Sequence, residues 1–361
     1  DVRPGARVLI DDGLIELLVT VVSDGAVECK VKIGGRILSH KGINLPGTTI
    51  SAPALMEKDR KDIRFGVAEG VDYVALSFVR GPEDVQAARR LVAECGGDQP
   101  IIAKIERAEA IAALDSLLEA SDGVMIARGD LGVEMGPEVV PILQKRIIAK
   151  ANQHRRLVIT ATQMLESMTQ HPSPTRAEAS DVANAIFDGT DAVMLSAETA
   201  RGQYPVESVQ VMDRIVRVAE GEVVLLNRAP VERSDGREQG SISEAMCEAA
   251  ASAAATTQAA AIATFSESGA TARLLSKQRP VAPIVAFTPH DLVRRRMALY
   301  WGVLPRLMAR IQDPDDRVHA VEHRLVEETL AGSNDCVVFL SGTVTGQLGG
   351  TNAMKLHRIA S

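Results

Sequence analysis

Ile101-Ile-Ala-Lys-Ile-Glu106 and Gly123-Val-Met-Ile-Ala-Arg-Gly-Asp130 decide how this chain of 361 residues is read. Each is a short apolar run that ends in charge. Similar runs span Val71–Val79, Leu157–Thr160 and Ala192–Leu195, and stretches with helical periodicity, such as Pro82–Glu94 and Ser180–Phe187, lie between them. Strands alternating with helices at this spacing predict βα units and a parallel sheet. The runs are apolar on both faces, as strands are when helices cover both sides. The units fit a doubly wound sheet or most of a (β/α)8 TIM-type barrel, and five strands cannot close an eight-stranded one.

Residues 1–42 read differently. Short strands Arg7–Ile10, Leu14–Val22 and Val27–Ile33 are joined by Asp11-Asp-Gly13 and Ser23-Asp-Gly25, turn chemistry that predicts a small antiparallel β unit. Residues 43–220 hold the βα units. Residues 221–240 are polar and contain Pro and Gly, the composition of a linker. Ser241-Ile-Ser-Glu244 then has capping-box spacing before an Ala-rich helix. Strands expected at Ala260–Phe265, Ile284–Phe287, Val303–Leu307 and Val337–Leu340 make 241–361 a smaller α/β domain.

Composition excludes several classes. Hydrophobic residues are 46% and charged residues 24%, and 40 Lys and Arg stand against 47 Asp and Glu for a net charge of −7. That balance argues against a nucleic-acid partner, which needs a basic face. The most apolar stretch, Ala249–Phe265, is broken by Ser252, Thr256, Thr257 and Gln258, so no membrane partner is expected. Asp1-Val-Arg-Pro-Gly5 is no signal peptide, and the missing initiator Met leads us to expect residues before it. Cys29, Cys95, Cys247 and Cys336 form no CxxC pair, which predicts reduced, mostly buried thiols in a cytoplasmic protein.

The chemistry is expected where the strands end. Lys104 and Glu106, two apart, share one side of a strand. The next strands run into Gly129 and Asp130, then Thr162 and Gln163, then Ser196 and Glu198. A polar residue after one strand only marks the passage into a loop. Four strands in series delivering polar groups at their C-terminal ends mark the place where barrel enzymes build sites. Glu106 and Asp130 are hard oxygen donors suited to Mg2+ or Mn2+. Lys104 offers a compact positive charge for phosphate, and Gly129 admits a ligand close to the backbone. Metal, carboxylates and lysine suit phosphoryl transfer or enolate stabilisation equally well. No nucleophilic triad is evident.

These residues lie in ordered motifs. Lys104-Ile-Glu106, Ala127-Arg-Gly-Asp-Leu-Gly132, Ala161-Thr-Gln-Met-Leu-Glu-Ser-Met168, Pro174-Thr-Arg-Ala-Glu178, Asp181-Val-Ala-Asn184 and Met194-Leu-Ser-Ala-Glu-Thr199 closely resemble pyruvate kinase. So do His40-Lys-Gly-Ile-Asn-Leu-Pro-Gly47 and Asp11-Asp-Gly-Leu14. The resemblance is strong from about residue 7 to about 220 and looser to Asn352. It implies a partial TIM-type barrel, residues 1–42 as the remnant of a small β-barrel lid, and a C-terminal effector-type domain. It also implies transfer of phosphate between phosphoenolpyruvate and ADP, giving pyruvate and ATP, in a cytoplasmic homotetramer.

By that resemblance Glu106 and Asp130 hold the divalent metal, and Lys104 neutralises the phosphoryl group in transit. Gly129, Asp130 and Thr162 line the substrate site, Ser196 and Glu198 support a proton path near Thr162, and Lys41 reaches the nucleotide phosphates. The family's first barrel strands, its K+ ligands and a phosphate-contacting arginine find no counterpart here, so the chain alone is expected to be inert or weak. Ser196-Ala-Glu198 stands where many members read Ser-Gly-Glu.

Ser266-Glu-Ser-Gly269-Ala-Thr271 resembles a sugar-phosphate effector loop, with Ser266, Ser268, Gly269 and Thr271 as its candidate residues. Glu267 in its midst is expected to repel a phosphate. The glycines of Gly342–Gly350 read as a flexible loop. His319-Ala-Val-Glu-His323 matches a zinc-protease pattern but reads as a solvated helix face. Alternatives kept open are a metal-dependent aldolase or lyase acting on pyruvate enolate, and a fragment that is inactive or needs a partner.

Overall fold

In the computed structural model, which describes residues 1–39, 41–48, 50–51, 53–225, 241–342 and 350–360, the first strands make an antiparallel sheet. β1 (Arg7–Ile10), β2 (Ile15–Ser23), β3 (Ala26–Ile33) and β4 (Ile43–Asn44) lie in the order β3-β2-β1-β4. Asp11, Asp12 and Gly13 turn the chain between β1 and β2 with φ of 55°, 55° and 86°, the left-handed region that Asp and Gly tolerate. β4 lies beyond the predicted end of this unit and pairs with β1 through Leu9–Asn44 and Ile10–Ile43. It is too short to show periodicity. Leu9, Ile15 and Val19 are buried, whereas Val27, Val31 and Ile33 on β3 are exposed.

The βα repeats form a five-stranded parallel sheet. β5 (Val74–Leu76), β6 (Ile101–Ile105), β7 (Gly123–Ala127), β8 (Leu157–Ala161) and β9 (Ala192–Met194) pair in sequence order. Every residue of β7 and β8 is buried, as an apolar strand covered on both faces must be. Ile101, Ile105, Leu114, Leu117, Ile126, Ile147 and Ile148 pack the core between sheet and helices. A Cβ on Gly123 would stand 2.8 Å from Leu157 Cβ and 2.9 Å from Leu157 O, so only glycine lets β7 and β8 approach here. β5 is shorter than the predicted Val71–Val79. Phe78 has φ of 54°, which breaks the extended run just after Ser77.

The structure divides into two compact units, Asp1–Gly221 and Glu222–Ser361. The helix Pro205–Leu225 continues into the expected linker; the rest of that linker, 226–240, lies outside the described residues. In the second unit the helix Ile242–Thr257 opens with the predicted capping box. Ser241 Oγ accepts from Glu244 N at 3.2 Å, and Ser241 N donates to Glu244 Oε2 at 3.0 Å.

β10 (Ala261–Phe265), β11 (Ile284–Thr288), β12 (Val303–Leu307), β13 (Cys336–Gly342) and β14 (Thr351–Arg358) make a sheet ordered β12-β11-β10-β13-β14. All neighbours are parallel except β13 and β14. β14 escaped sequence reading because Thr-Asn-Ala-Met-Lys-Leu-His-Arg is half polar, as suits an exposed edge.

Of the four cysteines, all free, only Cys247 is buried, which corrects the expectation of mostly buried thiols. Burial pushes its thiol up to about 12. Among the described residues no helix is long and apolar enough to cross a membrane.

Candidate active site

Lys104 sits in β6, so its side chain leaves the sheet on the same side as Glu106 just beyond the strand end. Lys104 Nζ lies 2.7 Å from Glu106 Oε1 and donates to Ser77 Oγ at 2.8 Å. The Glu106 side chain is fully buried, and its Oε2 accepts from Phe78 N at 2.6 Å. The backbone turn that ended β5 therefore aims an amide at this carboxylate. Ser77 was hidden to sequence reading because the strand was drawn through it to Val79.

Asp130 comes from the next strand end, in the first turn of the helix Arg128–Met135, where an acidic residue meets the positive end of the helix. Burial raises Glu106 above the ordinary carboxylate range, against the hydrogen bond and charge of Lys104 and the Phe78 amide, while the Asp130 charge pushes it further up. Burial also raises Asp130, opposed by Lys104 and assisted by Asp12. One ammonium thus acts on both carboxylates. Among the described residues, Glu106 Oε1 has Lys104 Nζ, at 2.7 Å, as its one partner. A buried and a half-buried carboxylate, hard oxygen donors on neighbouring strand ends, are of the type that takes a divalent cation, which Mg2+ typically completes with water and substrate oxygens.

Thr162 and Gln163, immediately after β8, have φ of 69° and 53°. A β-branched residue in that region costs on the order of 1–3 kcal/mol and persists only where its surroundings hold it. Arg128 is the holder. Its guanidinium donates to Thr162 O at 2.7 Å, to Gln163 O at 3.3 Å and to Asp181 Oδ1 at 2.7 Å. Thr162 Oγ1 accepts from Gly129 N at 2.8 Å and donates to Ala161 O at 2.6 Å. The hydroxyl is thereby fixed beside Gly129 and Asp130. Arg128 and Asp181 lay within quoted motifs but carried no assigned role, because their partnership spans two helices that sequence does not juxtapose.

Asp130, Gly129, Thr162 and Ser196 line one cavity of ≈ 720 Å³, joined by Asp12 and Arg7 from the antiparallel sheet. Glu198 is not among the residues lining this cavity. Its carboxylate is fully buried and accepts from Leu165 N at 3.0 Å and Ser196 N at 2.8 Å. Both oxygens are engaged in pinning the loops after β8 and β9. Lys41 forms an ion pair with Asp11 Oδ1 at 2.7 Å, and the neighbouring Asp12 is the residue that reaches the cavity.

In the second unit, Glu267 is paired with cationic side chains. Arg310 grips both its oxygens, Nε to Oε1 at 2.9 Å and Nη2 to Oε2 at 2.8 Å, and His290 Nε2 stands 2.9 Å from Oε2. Those partners hold its carboxyl below the ordinary range. Gly269, with φ of 81°, caps the seven-residue helix Ala270–Ser276. Thr271 Oγ1 lies 2.6 Å from Thr351 Oγ1, and Ser266 is buried. Residues 343–349 of the glycine-rich stretch lie outside the described residues. Glu322 of the zinc-like pattern accepts from Ala360 N at 2.6 Å and meets His357 Nε2 at 3.2 Å, so it fastens the C-terminal strand.

A buried acid, a half-buried acid and a lysine at the C-terminal ends of a parallel sheet, with a fixed hydroxyl on the neighbouring cavity, are what this α/β fold brings together. Residues 1–209 match the family model for the pyruvate kinase barrel domain, and 244–357 that for the pyruvate kinase alpha/beta domain. The chain belongs to the pyruvate kinase family. It is 47% identical over 359 residues to pyruvate kinase 2 of Synechocystis sp., covering 99% of this chain and 60% of the relative. It is 46% identical over 363 residues to pyruvate kinase of Geobacillus stearothermophilus, covering 62% of that protein. With pyruvate kinase of Clostridium acetobutylicum the identity is 44% over 358 residues and 75% of the relative is covered.

Proposed function

We propose that this chain carries the reaction site of a pyruvate kinase, moving a phosphoryl group between phosphoenolpyruvate and ADP to give pyruvate and ATP. The observation that carries the reading is the Lys104–Glu106 ion pair at one strand end, with Asp130 and Thr162 from the next two strand ends lining one cavity. Glu106 and Asp130 would hold Mg2+ or Mn2+, which supplies charge neutralisation at the phosphate and the enolate oxygen. Lys104 would face the phosphoryl group in transit, where a positioned donor is worth roughly 3–4 kcal/mol of barrier. Gly129, without a side chain and lining the cavity, would let the substrate approach closely, while its amide holds the Thr162 hydroxyl. Thr162, held in its strained conformation by Arg128, keeps a hydroxyl over the carbon that receives the proton. Ser196 lines the same cavity, and Glu198 orients it through the backbone. Lys41 would turn from Asp11 to nucleotide phosphates.

The five sequentially paired strands are read as part of a (β/α)8 barrel and the antiparallel sheet as part of its lid. A cavity of ≈ 740 Å³ lies along β5, with Phe65 and Phe78 exposed. That open apolar edge favours a second reading, in which turnover requires further βα units against β5. The K+ and homotetramer of the family are carried over on resemblance alone. A lactate-dehydrogenase-coupled assay with phosphoenolpyruvate, ADP and Mg2+ tests both readings. The chain by itself is expected to turn over weakly or not at all, and to gain activity when the additional length found in its relatives is supplied. No activity in the extended protein refutes the kinase reading, and near-normal turnover of the chain alone refutes the dependence.

A further inference from the structure

Below the carboxylate pair lies a second charged cluster that the reaction does not use. Arg107 directly follows Glu106, and Glu134 lies one helical turn beyond Asp130 on the helix Arg128–Met135. Their side chains are 7% and 2% exposed, and Arg107 Nη1 faces Glu134 Oε2 at 3.7 Å. Arg107 Nη2 donates to Thr48 O at 3.1 Å and more distantly to Glu109 Oε1 at 3.4 Å. Gly47 N donates to Glu134 Oε1 at 3.5 Å. Residues 45–48 are the segment that leaves β4 for the parallel sheet, and Gly47 turns it with φ of 71°. Two charges thus tie three elements: the end of β6, the helix of Asp130 and the exit from the antiparallel sheet.

The tie is slack. Arg107 Nε, Glu134 Oε2 and Glu109 Oε2 are buried and accept or donate no hydrogen bond. Buried polar atoms are rarely left so, because each costs on the order of 1–3 kcal/mol. A buried ion pair compensates its desolvation only when its geometry is close. A shift of a few tenths of an ångström toward Glu134 would bring Arg107 Nη1 within hydrogen-bond reach of Glu134 Oε2. A cation gripped by Glu106 and Asp130 draws those same two elements together.

We propose that Arg107 and Glu134 are positioning residues that couple divalent-cation binding at Glu106 and Asp130 to the seating of residues 45–48, and through them of the antiparallel sheet at the cavity. The proposal rests on the metal reading above. Coupling of this kind is reciprocal, so a cation that tightens the segment binds more tightly because of it.

The test is amide hydrogen exchange of the full chain with and without saturating Mn2+, with Mn2+ affinity measured on the same samples by electron paramagnetic resonance. Mn2+ is expected to slow exchange at Gly47 and Thr48. Glu134→Gln, which keeps the shape, and Arg107→Lys, which keeps the charge but cannot reach Thr48 O and Glu134 together, should both lose that slowing. Both should also bind Mn2+ about fivefold or more weakly, with unchanged circular dichroism. Asp130→Asn should abolish binding altogether. Saturable Mn2+ binding that leaves Gly47 and Thr48 exchange unchanged in the native chain overturns the coupling and spares the metal site. Retained protection in both variants overturns it likewise. No Mn2+ binding by the native chain overturns the metal reading and the coupling together.

Discussion

Replacing Lys104 by Met removes the charge that restrains both site carboxylates, and the consequence depends on pH in a calculable direction. Glu106 is already raised by burial while Lys104 opposes that rise from 2.7 Å. Without the ammonium its carboxyl moves higher still. A group whose folded pKa exceeds its unfolded value binds more protons when folded, so it favours the fold at low pH and loses that contribution as pH rises through the folded value. The variant is therefore expected to lie closer to the parent at pH 5 and to fall behind progressively up to pH 8.

Three pH units at about 1.4 kcal/mol each bound the added destabilisation at about 4 kcal/mol, near the 3–5 kcal/mol typical of a broken buried pair. The Lys104 side chain is 24% exposed, so partial solvation reduces the expectation to about 2–3 kcal/mol at pH 8. Urea unfolding in chelator, with hydrogen exchange of β6 amides to report on this unit, measures it. Adding Glu106→Gln to the variant should flatten the pH dependence. A cost that is the same at pH 5 and pH 8, or one that survives Glu106→Gln, would refute the electrostatic account of the site.

The carboxylates also compete for protons with the cation. Mn2+ affinity should weaken as pH falls from 7.5 to 5.5, approaching about tenfold per pH unit for each proton taken up below the raised values; a flat titration would mean that Glu106 and Asp130 are not the ligands. Glu198→Gln leaves one acceptor oxygen for the two amides of Leu165 and Ser196. It is expected to cost about 1–3 kcal/mol and to speed exchange at one of them, and unaltered exchange at both would show that Glu198 does not pin these loops.

What the sequence determined by itself was the repeat of strands and helices and the place of the chemistry along it. Apolar runs ending in charge are local patterns, and Lys104 and Glu106 share a side because strand side chains alternate. The parallel sheet and the polar strand ends were therefore legible without coordinates. Short edge strands were not: β4 is two residues long, and β14 owes its strand to the β13 backbone beside it rather than to an apolar run. Tertiary structure alone decided the partners. Arg128 meets Asp181, and Arg107 meets Thr48 and Glu134, because helices and loops distant in sequence converge there. It also gave Glu198 two backbone amides and Glu267 an arginine and a histidine. Residue type tells what a carboxylate can bind; which donors reach it first depends on the path of segments far away in the chain, and no local periodicity records that path.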